Sequence, residues 1–464
     1  MTYDEAVTYL NACVNYERQH DAQAMRAVPL DRMRRLCQRL GDPQRRFRSV
    51  LVTGTSGKGS ICAMLYLMLR ESPLRIGLYA SPHVEGLRER IRVWASGPST
   101  EERTPGDDWI PEAAFASIVE QLQPIVEDWQ RESPEGPLTY FELLTAIALV
   151  YFNQQRVQIG VLEVGLGGRL DATNIVEQAV SVIAPIDLDH TDVLGETPEA
   201  IAQEKAGILK PRQTVISAPQ SPEVMAVLQA ACDAQGIPLI VCGRELTVGI
   251  QQHSLDGLRC SITGLRGVYD SLTIPLLGRH QAQNAAVAIG ALEALSSTGV
   301  PYAMVQQGLE RVEWPGRLEM VHENPVVVLD GAHNSHAAAA LRETLSELFT
   351  DRRFHLLIGM SSDKSVEAIA KILGPFVVSA TCTASHHPRA MDPTELATRL
   401  SPCCPDVHVM SDPVDAYTYL LNAVSPDDVL VVTGSLFLVV ELRTALRQSH
   451  VRPRRRTVAP LAAT

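Results

Sequence analysis

An apolar run, Val50-Leu51-Val52, leads straight into Thr53-Gly54-Thr55-Ser56-Gly57-Lys58-Gly59-Ser60, and a helical-looking stretch, Ile61 to Leu67, follows. Strand, glycine loop and helix in that order commit this part of the chain to a βα unit whose turn can cradle phosphate. Glycines let the backbone curl without a Cβ in the way. The exposed N–H groups and the helix N-terminus attract an anion. Lys58 would reach the terminal phosphates, and Ser60 could hold Mg2+. The spacing departs from the standard phosphate loop, because two residues separate Gly54 from Gly57 and Gly59 stands between Lys58 and the hydroxyl. A glycine-rich linker is the competing reading, and the flanking strand and helix argue against it.

The 464 residues are too many for one ordinary core, so two domains are expected and a third stays open. With 45% hydrophobic and 20% charged residues the chain reads as soluble and globular, and only 5% aromatics leave aliphatic side chains to build the core. A net charge of -12 argues against nucleic acid as a partner. The basic cluster Arg452-Pro453-Arg454-Arg455-Arg456 reads as a solvated tail. Nine scattered cysteines without a CxxC pair fit reduced thiols. The stretch Met1 to His20 has no apolar core, and no run reaches membrane-spanning length, so a cytoplasmic protein with no membrane partner is expected.

Residues 1–48 look helical, with Pro29-Leu30-Asp31 opening a second helix. Short apolar runs at Arg75–Ala80, Ile159–Val164, Val180–Ile186, Gln213–Ile216 and Pro238–Val241 alternate with helical segments, one of them Phe141 to Asn153. That alternation predicts a mostly parallel sheet with helices on both faces. Residues 96–108 read as a surface loop and residues 243–276 as an antiparallel addition. A new βα series begins after Trp314-Pro315-Gly316-Arg317: a strand at Val326–Asp330, an alanine-rich helix from Ala337 to Leu348, and strands at Leu356–Gly359, Phe376–Val378 and Val429–Val432. The expected architecture is α/β, a P-loop-type domain over 1–311, a smaller Rossmann-like α/β domain over 312–448, and a disordered tail over 449–464. No internal repeat or low-complexity tract is evident.

Polar clusters sit just past several predicted strand ends, where open α/β sheets place their ligands. They are Ser81-Pro82-His83, Glu163 with Gly165–Asn174, Asp187 with Asp189-His190-Thr191, and Glu204-Lys205. A magnesium–nucleotide site needs few hard oxygen ligands, because water and phosphate complete the shell. Ser60, Ser81 and Glu163 can supply them, with His190 as a less usual ligand. Lys205 beside Glu204 reads, on spacing alone, as a solvated helix face.

These pieces, in this order, resemble the folylpolyglutamate synthase and bifunctional dihydrofolate synthase family of the Mur ligase superfamily, which forms amide bonds with ATP. The resemblance spans roughly residues 30 to 445. It rests on Thr53–Ser60, Ser81-Pro82-His83 with Glu89-Arg90-Ile91, Thr139–Glu142, Glu163–Asn174, Asp189-His190-Thr191, Glu204–Ile208, Gly278–Gln281 with Asn284, Pro315-Gly316-Arg317, Asp330–Asn334 and Thr433–Leu436. Two departures stand out: Ser56, where the family usually has Asn, and Val84-Glu85-Gly86-Leu87, where it more often carries aromatic or basic residues.

The resemblance implies roles. Thr55, Gly57, Lys58, Gly59 and Ser60 would cradle ATP, and Asn284, Arg317, Asp330 and His333 would complete its site. Ser60, Ser81, Glu163 and His190 would hold two Mg2+ ions, and Lys205 would be carbamylated, becoming an anion beside the metals. Lys58, Glu163, His190 and Lys205 would be the catalytic set. Phe141 could stack on a pterin, with helix core as its competing reading, and Asp171 with Ala172 would bind the folate. His387, Arg389 and Ser435 would meet the glutamate. The implied reaction adds L-glutamate to dihydropteroate or reduced folates through an acyl phosphate, on a monomer that uses small-molecule substrates alone. A Mur-type ligase for another carboxylate is the alternative, disfavoured because only about fifty residues precede the loop. A nucleotide-binding regulator would need neither Asp330–Asn334 nor Lys205.

Overall fold

The computed structural model describes residues 1–26, 28–95, 106–132, 136–296 and 299–448. The basic cluster at 452–456, the expected tail 449–464 and most of the loop expected at 96–108 lie outside them. The first strands are β1 (Arg48–Thr53), β2 (Ile76–Tyr79), β3 (Ile91–Trp94), β4 (Ile159–Glu163), β5 (Gln178–Ile183), β6 (Thr214–Ser217) and β7 (Leu239–Val241). They form one sheet in the order β3-β2-β4-β1-β5-β6-β7, parallel except for β3. Side chains alternate across it: Val50 and Val52 enter one core, Leu51 the other. Both faces are therefore buried, which explains why the strands read as continuous apolar runs.

Residues 247–274 form the expected antiparallel addition, β8 (Thr247–Ser254), β9 (Gly257–Thr263) and β10 (Val268–Ile274). A second large sheet follows, with β11 (Glu319–Glu323), β12 (Val326–Leu329), β13 (Phe354–Ile358), β14 (Ser379–Cys382), β15 (Val407–Val409) and β16 (Val429–Thr433). Its order is β11-β12-β16-β13-β14-β15, parallel except for β11. It too has a core on each face.

One predicted strand is corrected. Phe376-Val377-Val378 is not a strand: Gly374–Phe376 form a 3-10 turn and β14 begins at Ser379. Pro375 carries no N–H for a ladder, and the Phe376 ring is held on Phe354 with centroids 4.3 Å apart. The edge strands β3, β11 and β15 and the helix Glu112–Glu132 add to the elements read from the sequence. Asp108, at the end of the expected surface loop, is buried and accepts from Tyr66 and Arg70.

Strands β4 and β5 flank β1 on opposite sides: the chain leaves β1 for β2 on the β4 side, and after β4 it crosses to β5 on the other. A crevice opens at such a switch point, above the carboxyl ends of the strands. The glycine loop, Ser81, Glu163 and the Asp187–His190 segment all emerge there. All nine cysteines are free thiols, and no described helix is long and apolar enough to cross a membrane.

Candidate active site

The loop after β1 is shaped by close approach. Gly54 has φ +145°, and a Cβ there would lie 2.6 Å from that of Ala184. Gly57, at φ +85°, starts the helix Lys58–Arg70, and a Cβ on it would meet Asn284 Oδ1 at 2.8 Å. Only glycine suits these positions. Thr55 ties the loop to the neighbouring strand end: its N–H donates to Pro185 O at 2.8 Å and its hydroxyl to Asp187 O at 3.0 Å.

Two lysines converge on this turn. Lys58 Nζ donates to the carbonyl oxygens of Gly54 at 3.2 Å and Thr55 at 3.5 Å. Lys205 Nζ donates to Gly54 O at 2.8 Å. The solvated-surface reading of Lys205 is therefore overturned, since the residue is 4% exposed. Adjacent helical residues point in different directions, and Glu204 takes the outer side, pairing with Arg169. Burial, and then the nearby Lys58 charge, bring the Lys205 ammonium from 10.5 down to about 7.

Glu163 ends β4, and its Oε2 accepts the Ser81 N–H at 3.1 Å. Burial raises its pKa, against the pull of Lys58. His190 sits at φ +47° with Nε2 accepting from Lys364 Nζ at 3.1 Å, and its Nδ1 makes no hydrogen bond among the described residues but lies 3.9 Å from Asp363 Oδ2. Burial first, then the Lys364 charge, push its pKa down to about 3, so the ring is neutral and keeps a lone pair. Lys364 also reaches Asp189 Oδ1 at 2.5 Å, and Asn334 Nδ2 donates to Asp189 Oδ2 at 3.3 Å. The segment after β12 and the residues after β13 are thus joined to the segment after β5.

Around this centre a single cavity of about 1250 Å³ runs between the two large sheets. It is lined by Thr55, Gly57, Lys58, Gly59, Ser60, Ser81, Glu163, His190 and Lys205 on one side, and by Asn284, Arg317, Asp330 and His333 toward the other. Asp330 accepts the N–H groups of Leu318 and Ala332, each at 2.9 Å, which shapes the turn bearing His333. Phe141, Asp171 and Ala172 line a further part. Phe141 lines the cavity while its ring leans on Tyr79 with centroids 6.1 Å apart. The Asp171 carboxylate is engaged by the Leu166 and Thr173 N–H groups, each at 2.9 Å, and burial raises its pKa.

Arg389 and Ser435 also line the cavity, but His387 does not. The His387 ring is stacked on Phe437 with centroids 3.6 Å apart, and burial then Arg389 lower its pKa to about 4. Arg389 Nη2 donates to Asp363 at 2.5 Å, and Nη1 to Glu17 O at 3.4 Å. Sequence reasoning overlooked Glu17, Asp363 and Lys364. Asp363-Lys364 follows the β13 strand end, the same signal that marked the other clusters.

Two family models match this chain, the Mur ligase middle domain over residues 112–292 and the Mur ligase glutamate ligase domain over residues 316–436. A dihydrofolate synthase/folylpolyglutamate synthase from Bacillus subtilis is 32% identical over 424 residues, spanning 90% of this chain and 95% of the relative. Folylpolyglutamate synthase of Mycobacterium tuberculosis complexed with ADP superposes with a TM-score of 0.84 at 30% identity, covering 96% and 98% of the two chains. Escherichia coli FolC in complex with DHPP and ADP gives 0.82 at 29%, covering 97% and 99%.

Proposed function

This chain belongs to the dihydrofolate synthase/folylpolyglutamate synthase family of Mur ligases, and from that premise we propose that it joins L-glutamate to a pteroate or folate carboxylate while ATP becomes ADP and phosphate. One observation carries the reading: the phosphate-loop Lys58 and the buried Lys205 share the Gly54 carbonyl within one inter-lobe cavity. A lone nucleotide pocket has no need of the second lysine.

In this reading the glycine loop and the N-terminus of Lys58–Arg70 receive the triphosphate, and Lys58 leaves its carbonyl partners to neutralise charge as the γ-phosphoryl group moves. Asn284, Arg317, Asp330 and His333 complete the nucleotide site. A carboxylate oxygen of the acceptor attacks the γ-phosphorus, the bond to the β-phosphate oxygen breaks, and an acyl phosphate results. Phe141, Asp171 and Ala172 hold the pterin end of that acceptor. The glutamate amine, placed by Arg389 and Ser435 with His387 behind Phe437, attacks the activated carbonyl and phosphate departs. Water, excluded by the closed lobes, would otherwise hydrolyse the acyl phosphate.

Residues present fit magnesium. Among the described residues there is no cluster of three His, Cys, Asp or Glu side chains, so no all-protein cage exists, as expected of an ion that keeps water and phosphate ligands. Glu163 is a buried carboxylate with raised pKa, and His190 lines the same cavity as a neutral ring that would turn its Nε2 lone pair from Lys364 to an ion. Ser60, Ser81, Glu163 and His190 would hold two ions, which supply charge neutralisation at the phosphates. Lys205 suits carbamylation because an amine with a pKa near 7 is substantially neutral at physiological pH, and only the neutral amine adds CO2.

We divide the chain at 312 into an ATP-binding ligase lobe (1–311) and a glutamate ligase lobe (312–448), and read it as a cytoplasmic monomer. The test is a substrate panel: dihydropteroate, tetrahydrofolate and a UDP-muramyl acid, each with ATP and labelled glutamate. Labelled amide product is expected with one or both of the first two, and phosphate release should require acceptor and glutamate together. Phosphate release at the full rate without glutamate would reject the ligase reading.

A further inference from the structure

The departure Val84-Glu85-Gly86-Leu87 faces away from the cavity, which this loop lines only through Ser81 and Pro82. Glu85 reaches the helix Leu436–Gln448 of the second lobe instead. Its Oε1 accepts from Arg443 Nη1 at 2.8 Å and from Arg447 Nη2 at 2.6 Å. Arg443 Nε in turn donates to both oxygens of Glu319, at 2.9 and 3.0 Å, and Glu319 Oε2 accepts the Gly316 N–H at 2.9 Å in the connection between the lobes. The Arg443 and Glu85 side chains are only 8% and 14% exposed. Charge-assisted hydrogen bonds withdrawn from water are strong and fix geometry. Val84 adds an apolar contact, packing against the core beneath the same helix.

Both ends of this contact lead to the cavity. The Glu89 carboxylate receives the N–H groups of Val84 and Glu85 at 2.6 Å each and of Gly86 at 3.2 Å, which stiffens the loop. Farther back, the Ser81 N–H is held by Glu163 and His83 Nδ1 by Arg90 Nε at 2.9 Å. In the other lobe, Ser435, Leu436 and Phe437 line the cavity at the start of the helix that carries Arg443. About 12 Å of helix links Ser435 to Arg443, a rod that transmits position.

We infer that Glu85 is a positioning residue for the ligation: by pairing with Arg443 and Arg447 it holds the second-lobe residues Ser435–Phe437 in register with Ser81 and Glu163 of the first lobe. It touches neither nucleotide nor acceptor. Because the residues it positions, Ser435–Phe437, lie where the amino-acid substrate is placed, loss of the contact is felt most in capture of that substrate.

Glu85→Gln tests this, since it removes the charge and keeps the size, while Arg443 retains Glu319. The melting temperature should stay within about 2 °C of wild type. The KM for glutamate should rise about tenfold, by a clearly larger factor than the KM for ATP. Arg447→Ala should act in the same direction and less. Small-angle scattering with a non-hydrolysable ATP analogue should give a larger radius of gyration for the variant. A glutamate KM within about twofold of wild type, unchanged scattering, or a parallel fall of all kinetic constants with melting temperature would each overturn the inference. The kinetic arm rests on the ligase reading. If wild type shows no glutamate-dependent turnover, that reading fails and the scattering comparison alone decides the contact.

Discussion

Lys58→Ala is expected to keep its fold and lose about a thousandfold or more in kcat. Among the described residues the ammonium donates to two loop carbonyls, Gly54 O and Thr55 O, and the loop itself is held by the Thr55 bonds to Pro185 and Asp187. Removing it therefore leaves the turn in place. What disappears is the positive charge that meets the moving phosphoryl group, and neither Gly57 nor Ser60 can replace a full charge. Phosphate release under saturating substrates, with a thermal melt beside it, measures both halves of the expectation. Turnover within about tenfold of wild type would show that Lys58 does not stabilise the transferred group.

Lys205→Met should remove activity to a similar extent, for a different reason. The substitution keeps the buried length and takes away the amine, so the fold persists while carbamylation becomes impossible. Wild-type turnover should fall as pH drops through about 7, where the amine becomes protonated, and added bicarbonate at fixed pH should partly restore it. Neither response should appear in the variant. Stability offers an independent sign. The folded-state pKa is about 7 against 10.5 for the free side chain, so the unfolded chain binds more protons between those values. Stability from this group therefore rises with pH across that window and is flat below it, where both states are protonated. In CO2-free buffer Lys205→Met should lack that rise. Wild-type turnover in Lys205→Met would remove the carbamate from the mechanism.

Much of the site was legible because each cluster follows a strand end. Ser81 after β2, Glu163 at the end of β4, His190 after β5 and Asp330 after β12 are separated widely along the chain, yet each obeys the same local rule. The first parallel sheet brings the Ser81, Glu163 and His190 ends to one rim, so recognising its strands was enough to gather those three, whereas Asp330, on the second sheet, joins them through the packing of the lobes. The Phe376–Val378 misreading shows where the rule weakens. An apolar triplet has the composition of a strand, but Pro375 and the ring contact with Phe354 claim it for a turn. The edge strands β3 and β15 escaped because they are only four and three residues long and each apolar run is interrupted by one polar residue, Arg92 or His408.

By themselves the residues determined the βα series, the phosphate turn and the antiparallel addition, since strand period, glycine conformation and helix starts are settled within about ten neighbouring positions. Tertiary structure alone decided that Lys205 is buried against Gly54, 151 positions away, that Lys364 sits on Asp189 across 175, and that Glu85 meets Arg443 across 358. The physical reason is that a side chain's charge state and reach depend on which surfaces the folded chain removes from water, and that is a property of the assembled lobes rather than of any short stretch of sequence.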